Sequence, residues 1–315
     1  MSANTNTTEE SFYFILTGIP GFEAVHIWIS IPFFCLYMIS LIGNTTILAV
    51  IWTEPSLHQP MYMFLSMLTL TDLGLTLTTL PTVMRLLWFN ARKISLEACC
   101  VQFFFLHGFS FMESSVLLAM AFDRYVAICR PLHYASILTD AVVRRIGMAI
   151  IIRCVVAVLP PLFLLKRLPF CNSHILTHSY CLHQDMIRLV CGDTTINNCF
   201  YALGLVICTL LLDSVLILVS YVLILKSVLA IASQDERLKS FKTCVSHICA
   251  VVVFYIPIIS LTMVHRFGKH LSPIVHVLMG NIYILFPPLM NPIIYSVKTQ
   301  QIRSRIKRLF SGQRY

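Results

Sequence analysis

Long apolar stretches, broken by short polar ones, run from residue 28 almost to the C-terminus. They fall at 28–51, 61–84, 100–122, 143–165, 199–225, 244–264 and 273–296. Each has the length, about 20 residues, at which an α-helix crosses the hydrocarbon core of a bilayer. The pattern predicts seven membrane-spanning helices. After the last of them, "KTQQIRSRIKRLF" at 298–310 places Ile302, Ile306 and Leu309 on one helical face and Lys or Arg on the other. That is the pattern of a short helix lying on a membrane surface. The expected fold is an all-α membrane protein, a seven-transmembrane-helix bundle with a short amphipathic eighth helix. Residues 1–27 form an extracellular N-terminal tail, 28–297 the bundle, and 298–315 a cytoplasmic helix and tail.

Composition agrees with this reading and charge orients it. The chain of 315 residues is 57% hydrophobic and 12% charged, outside the usual range of soluble domains. No Lys or Arg precedes the first span, so it lacks the basic flank of a cleaved signal peptide and is expected to stay as helix one. With the N-terminus outside, fourteen Lys and Arg fall on the inner side, including Arg124, Arg130, Arg144, Arg145 and six from Lys298 to Arg314, against eight on the outer side. The cytoplasmic side carries the excess, which predicts a multi-pass plasma-membrane protein with its C-terminus inside. The net charge of +9 is explained by that topology and by anionic lipid, not by nucleic acid. Asn6-Thr7-Thr8 is a glycosylation acceptor in the outer tail, whereas the same pattern at Asn44 lies inside an apolar span.

Of the twelve cysteines, Cys99, Cys171, Cys181 and Cys191 fall outside, where disulfides form. Four cysteines allow three pairings, and the residues alone do not choose. The connection over 166–198 is expected to be a disulfide-stapled lid.

Five motifs then occur in order: "LHQPMYMFL" at 57–65, "MAFDRYVAICRPLHY" at 120–134, "SY" at 220–221, "KSFKTCVSH" at 239–247 and "PPLMNPIIY" at 287–295. The set resembles odorant receptors, a branch of the rhodopsin-like G-protein-coupled receptors. "HSYCLHQD" at 178–185 and "VHRFG" at 264–268 are similar to their class I, or fish-like, group. Phe122 and Lys242 depart from the family pattern, which more often has Tyr and Ser there.

The resemblance implies a small-molecule odorant outside and a stimulatory, olfactory-type heterotrimeric G protein inside, with cyclic AMP as the output and no enzymatic step. It implies the pairings Cys99–Cys181 and Cys171–Cys191, and G-protein coupling through Asp123, Arg124, Tyr125, Tyr221 and Tyr295. Asp123 would hold Arg124 at rest and release it on activation. The plainer alternative is that Arg124 only snorkels to anchor a helix end.

Carboxylates in mid-membrane are costly and usually functional. Glu113 lies eleven residues before Arg124, about 16 Å deeper along the helix, and Asp72 and Asn291 hold the family positions of a sodium or proton pocket. Two readings stand for Asp72, Glu113 and Asn291: an ion-linked switch, or neutral hydrogen-bonded packing. No resident cofactor is expected, and no metal beyond a possible sodium ion. Asp213 and Arg153 receive no role.

The odorant site is expected under the lid, framed by His107, His183, Gln184, Thr262 and Arg266, with Phe111, Phe163 and Ile259 as apolar wall. Arg offers a planar fork suited to a carboxylate, and the class I group is associated with small acids and other hydrophilic odorants. Alternatively, Arg266 pairs with Asp185 or with a loop carbonyl. A non-olfactory chemosensor or metabolite receptor of the same fold is the nearest competitor. A proton-coupled transporter is remote, because no internal repeat is visible. A retinal photoreceptor lacks its Schiff-base lysine between Pro273 and Val297, and a metalloprotease lacks a His-Glu-x-x-His helix.

Overall fold

A bilayer core offers no water to the backbone, so a spanning segment must satisfy its own N–H and C=O groups, and helices do this. The computed structural model describes residues 12–311 apart from Pro20, Glu23, Ala24, 171–173, 192–199 and Lys269; the side chains of 200–203, 205–208, Lys239, Thr243, Arg266, Lys298 and 309–311 also lie outside the described set. Asn6 and Cys171 therefore fall outside it.

Seven long helices match the seven stretches: α1 (His26–Thr53), α2 (Pro60–Phe89), α3 (Leu96–Cys129), α5 (Asp140–Arg167), α7 (Phe200–Leu229), α8 (Gln234–Phe267) and α9 (Pro273–Lys298). Between them lie the short helices α4 (Tyr134–Ile137) and α6 (His183–Arg188), and α10 (Gln300–Ser311) follows. Most helices overrun the apolar stretch that predicted them. α8 begins ten residues earlier, at Gln234, so the "KSFKTCVSH" motif is helical.

Local chemistry sets several ends. The Ser95 side chain accepts from Ala98 N at the start of α3, with Glu97 in the first turn. Thr139 does the same for Val142 N at the start of α5. Such caps satisfy orphan amide donors, and an acid in the first turn complements the helix dipole. Pro60 and Pro273 open α2 and α9, where the missing N–H is harmless.

α3 is the central post, packing against α2, α5, α7 and α8. Its buried face carries Glu113, Ser114, Val116, Leu117, Met120 and Asp123. Apolar residues on the rim of the bundle, such as Ile152, Val156 and Leu212, are exposed, as lipid contact demands. Phe122, one of the two departures from the family pattern, belongs to this outward face. Asn44 is fully buried in α1, its Nδ2 donating to the carbonyls of Ser40 and Pro288 at 3.0 and 2.8 Å.

The tail is not polar chain throughout. Tyr13–Leu16 forms β1, the middle strand of a sheet ordered β2-β1-β3, with β2 at Lys93–Ser95 and β3 at Ile175–Leu176. β1 pairs antiparallel to β2, Phe14 opposite Ile94, and parallel to β3, Ile15 opposite Ile175. Phe14 and Leu16 alternate inward onto Leu86, Leu165, Cys99 and Cys181. That alternation, "YFIL" with its second and fourth residues buried, is strand periodicity within a stretch taken to be tail.

At the opposite end α10 folds back against α1 and α9. Ile302 is fully buried there and Ile306 packs beside it. Arg305 lies 3.0 Å from Glu54, and Tyr62 bonds Gln301.

Candidate functional site

At the sheet end, the segment between α5 and α7 is tied down over the bundle. Cys99 is disulfide-bonded to Cys181, and Gln102 on α3 accepts from the Cys181 amide at 2.8 Å. Cys191 is also disulfide-bonded; its expected partner, Cys171, lies outside the described residues. Tyr180 donates to the Gly280 carbonyl on α9 at 2.7 Å. A Cβ at Gly280 would lie 2.6 Å from the His178 ring, so only glycine admits this close approach of loop and helix.

Beneath the segment is a cavity of about 1030 Å³. His107, Phe111, His183, Gln184 and Thr262 all line it, and so does Ile259. Phe103, His107 and His183 pack as a cluster of tilted rings, with centroids 4.7 and 5.3 Å from Phe103. His107 Nε2 and Gln184 Oε1 are buried without a hydrogen-bond partner among the described residues. Burial pushes the His183 ring down to about 4, so it is neutral at physiological pH and can donate or accept. Thr262 donates to the Ile258 carbonyl of its own helix at 2.8 Å, leaving its lone pairs free.

Phe163 is corrected. It is 60% exposed and faces out of the bundle. Ala157, Val158 and Pro161 are α5 residues that line the cavity, and Phe163, two further along than Pro161, is turned from it by about 200°. Arg266 stands on α8, its side chain outside the described residues. Asp185, its alternative partner, is bonded to His178 and Thr177.

Deeper in the bundle, Asn291 Nδ2 lies 3.0 Å from Asp72 Oδ2 and 3.2 Å from Glu113 Oε1. Asn291 thus bridges the two carboxylates. Sequence reasoning left a second polar centre unassigned. Arg153 on α5 meets Asp213 on α7 at 2.9 Å, Arg153 also donates to Ser115, and Ser114 donates to the other Asp213 oxygen at 2.7 Å. One unassigned acid and one unassigned base, each thirteen residues into its helix, were the available signal, because a buried charge requires a partner.

At the end opposite the sheet, Arg124 is turned onto Asp123, with Nη2 and Nε 2.6 and 3.0 Å from Oδ2. Tyr134 on α4 donates to Oδ1 of the same carboxylate at 2.7 Å. Tyr221 donates to His247 Nδ1 at 2.5 Å, and His247 Nε2 donates to the Leu117 carbonyl. His247 thus ties α3, α7 and α8 together, a role its place in "KSFKTCVSH" did not disclose. Tyr125 packs on Ile224, Val228 and Cys244, and Tyr295 is buried beside Met120. Lys242, the other departure, is exposed.

The family model described as olfactory receptor matches residues 33–313. The chain belongs to the olfactory receptor family. It is 68% identical over 303 residues to human olfactory receptor 51Q1, covering 96% of this chain and 95% of that one. Identity to human olfactory receptor 51V1 is 63% over 315 residues, covering 100% and 97%. These relatives are consistent with the class I, fish-like group. In three dimensions it is similar to squid rhodopsin, with a TM-score of 0.69 at 19% identity, covering 92% of this chain and 86% of that one. The receptor is accordingly a multi-pass plasma-membrane protein of the rhodopsin-like fold, not an enzyme. Its family takes a small-molecule ligand and a G protein as partners.

Proposed function

We propose that the receptor detects a small carboxylic-acid or similarly polar odorant in the cavity under the disulfide-tied segment, and that it couples to a stimulatory heterotrimeric G protein to raise cyclic AMP. The sheet end faces outward and the Asp123–Arg124 end inward, as the Lys and Arg distribution and the acceptor at Asn6 favour. The observation that carries the ligand reading is the pair of buried polar atoms, His107 Nε2 and Gln184 Oε1, on residues that line a mostly apolar cavity and without partners among the described residues. Buried polar groups are normally bonded, and a polar ligand supplies what these lack. Arg266, on the helix that also brings Thr262, is the candidate anchor: a charge-assisted bond to a carboxylate is worth about 1.5 to 3 kcal/mol.

Inside, Asp123 with Tyr134 holds Arg124 in a resting latch, and Tyr125, Tyr221 and Tyr295 are the groups that rearrange when the inner ends part. Asp72, Glu113 and Asn291 form the ion-linked pocket. Two carboxylates sharing one amide repel, and a sodium ion or proton relieves the repulsion.

The test is a panel of straight-chain acids, alcohols and aldehydes applied to expressing cells with cyclic AMP as readout. Acids should be the strongest agonists, Arg266→Ala should lower their potency about 30-fold, roughly 2 kcal/mol, and Arg266→Lys should recover only part. Agonists that are all neutral, with wild-type potency in Arg266→Ala, would overturn the acid reading.

A further inference from the structure

His178, Asp185 and His265 meet beside the cavity, bringing together residues from the loop and from α8, with ligand atoms all within 4.8 Å of one another. All three are nine-tenths buried or more, at 0%, 3% and 6% exposed.

The hydrogen bonds fix which lone pairs face inward. His178 Nε2 lies 3.1 Å from the His276 carbonyl; a carbonyl only accepts, so this nitrogen carries the proton. In the neutral ring Nδ1 is then a bare lone pair, and it rests against Asp185 Oδ2, an oxygen that already accepts from Thr177. His265 repeats the arrangement: Nδ1 is committed to the Leu261 carbonyl at 3.0 Å, and Nε2 is left as a lone pair with no hydrogen-bond partner among the described residues. It faces Asp185 Oδ1 across 3.9 Å, too far for a hydrogen bond, and that oxygen is unpartnered too. A proton on His178 would reconcile the first contact and leave the other two atoms unmatched. A cation that accepts electron pairs takes up all three.

We propose that His178 Nδ1, His265 Nε2 and the Asp185 carboxylate form a binding site for a zinc-type divalent transition ion. Two imidazoles and a carboxylate are a common zinc donor set, and ligating histidines usually give their other N–H to a carbonyl or carboxylate, as both do here. Bonds of about 2.0 to 2.1 Å in a tetrahedron need the three atoms about 3.4 Å apart, a contraction within reach of small side-chain rotations. The His276 ring stands edge-on to His265, centroids 5.5 Å apart, as a further imidazole at the rim. Arg188, bonded to the His265 carbonyl at 3.2 Å, is a neighbouring cation that the Asp185 charge offsets. The ion clamps the loop to α8 at the mouth of the cavity, and this assignment does not depend on which odorant binds.

Purified full-length receptor in detergent micelles, stripped with chelator and titrated with zinc chloride by calorimetry, should bind one equivalent at this site. His265→Ala should weaken that binding at least tenfold, while exposed His58→Ala leaves it unchanged. Zinc-edge X-ray absorption of the wild-type complex should give only nitrogen and oxygen neighbours at about 2.0 to 2.2 Å; this measurement stands even if His265→Ala fails to fold. Sulfur neighbours, wild-type affinity in His265→Ala, or the lack of saturable binding would each overturn the proposal and leave a proton-bridged cluster.

Discussion

Arg153 and Asp213 lie 60 residues apart in the chain and 2.9 Å apart in space, joining α5 to α7 midway along both helices. The two ends of the pair are unequal. The Asp213 side chain is 2% exposed and that of Arg153 is 34% exposed. Removing Arg153 strands a buried carboxylate, whereas a guanidinium without Asp213 can still turn outward. Arg153→Ala should therefore destabilise the receptor by about 3 kcal/mol, the lower end of the cost of breaking a buried pair, and Asp213→Ala by less. Replacing both with apolar residues, Arg153→Met with Asp213→Leu, should restore most of the loss. Thermal unfolding in detergent, with surface expression alongside, measures all three.

The resting contact of Arg124 depends on a carboxylate that Tyr134 also holds. Asp123→Asn keeps the shape and removes the charge, so basal cyclic AMP should rise without agonist. Tyr134→Phe should raise it less, because the ion pair survives. Arg124→Ala should abolish agonist-driven cyclic AMP while surface expression persists. Undiminished signalling in that variant would remove the latch.

Asn291 is the bridging donor shared by Asp72 and Glu113. Asn291→Asp would add a third acceptor to two and should lower stability more than Asn291→Ala. Asp72→Asn and Glu113→Gln should both shift basal activity and blunt any dependence of unfolding temperature on sodium concentration. Comparing sodium with choline at equal ionic strength separates ion binding from screening.

Cys181 is held to α3 twice, by its disulfide to Cys99 and by the hydrogen bond its backbone N–H donates to Gln102. Loss of a native disulfide costs about 2 to 5 kcal/mol, so Cys99→Ser should sharply reduce surface expression. Gln102→Ala, losing hydrogen bonds worth about 1 kcal/mol each, should be a milder defect of the same kind.

Phe111 and Phe163 separate cavity from lipid. Phe111→Ala should change which ligand chain length is preferred, whereas Phe163→Ala should leave the agonist profile as it was. Dose–response curves over a graded acid series decide this.

The seven spans were readable because a bilayer imposes one length and one polarity on every segment that crosses it. Asp72 and Glu113 were readable for a related reason, since charges in apolar runs are rare enough to single out, whereas Asn291 and the Asp123–Arg124 pair were read from the resemblance of their motifs to a receptor family. Features that depend on partners far along the chain were not. Tyr13–Leu16 became a strand only because Lys93–Ser95 and Ile175–Leu176 come alongside. Asp213 had no role until Arg153 reached it across the bundle. The place of His265 beside Asp185 arises from how the loop lies on α8, which no local pattern in "VHRFG" signals. Phe163 went wrong because helical rotation decides the inward face, and the surrounding α5 sequence is apolar on every side.

The middle strand of the sheet is made early, yet one of its neighbours is synthesised some 160 residues later, Ile15 opposite Ile175. At roughly 5 to 20 residues per second, β1 spends about 8 to 32 s as nascent chain with that edge unpaired. Its completion is thus a timestamp: the sheet closes only after the first four spanning helices, α1, α2, α3 and α5, have been inserted and the segment beyond α5 has emerged on the same side. A receptor stalled before that point exposes Phe14 and Leu16, two apolar side chains on an open strand edge, to whatever inspects unfinished proteins.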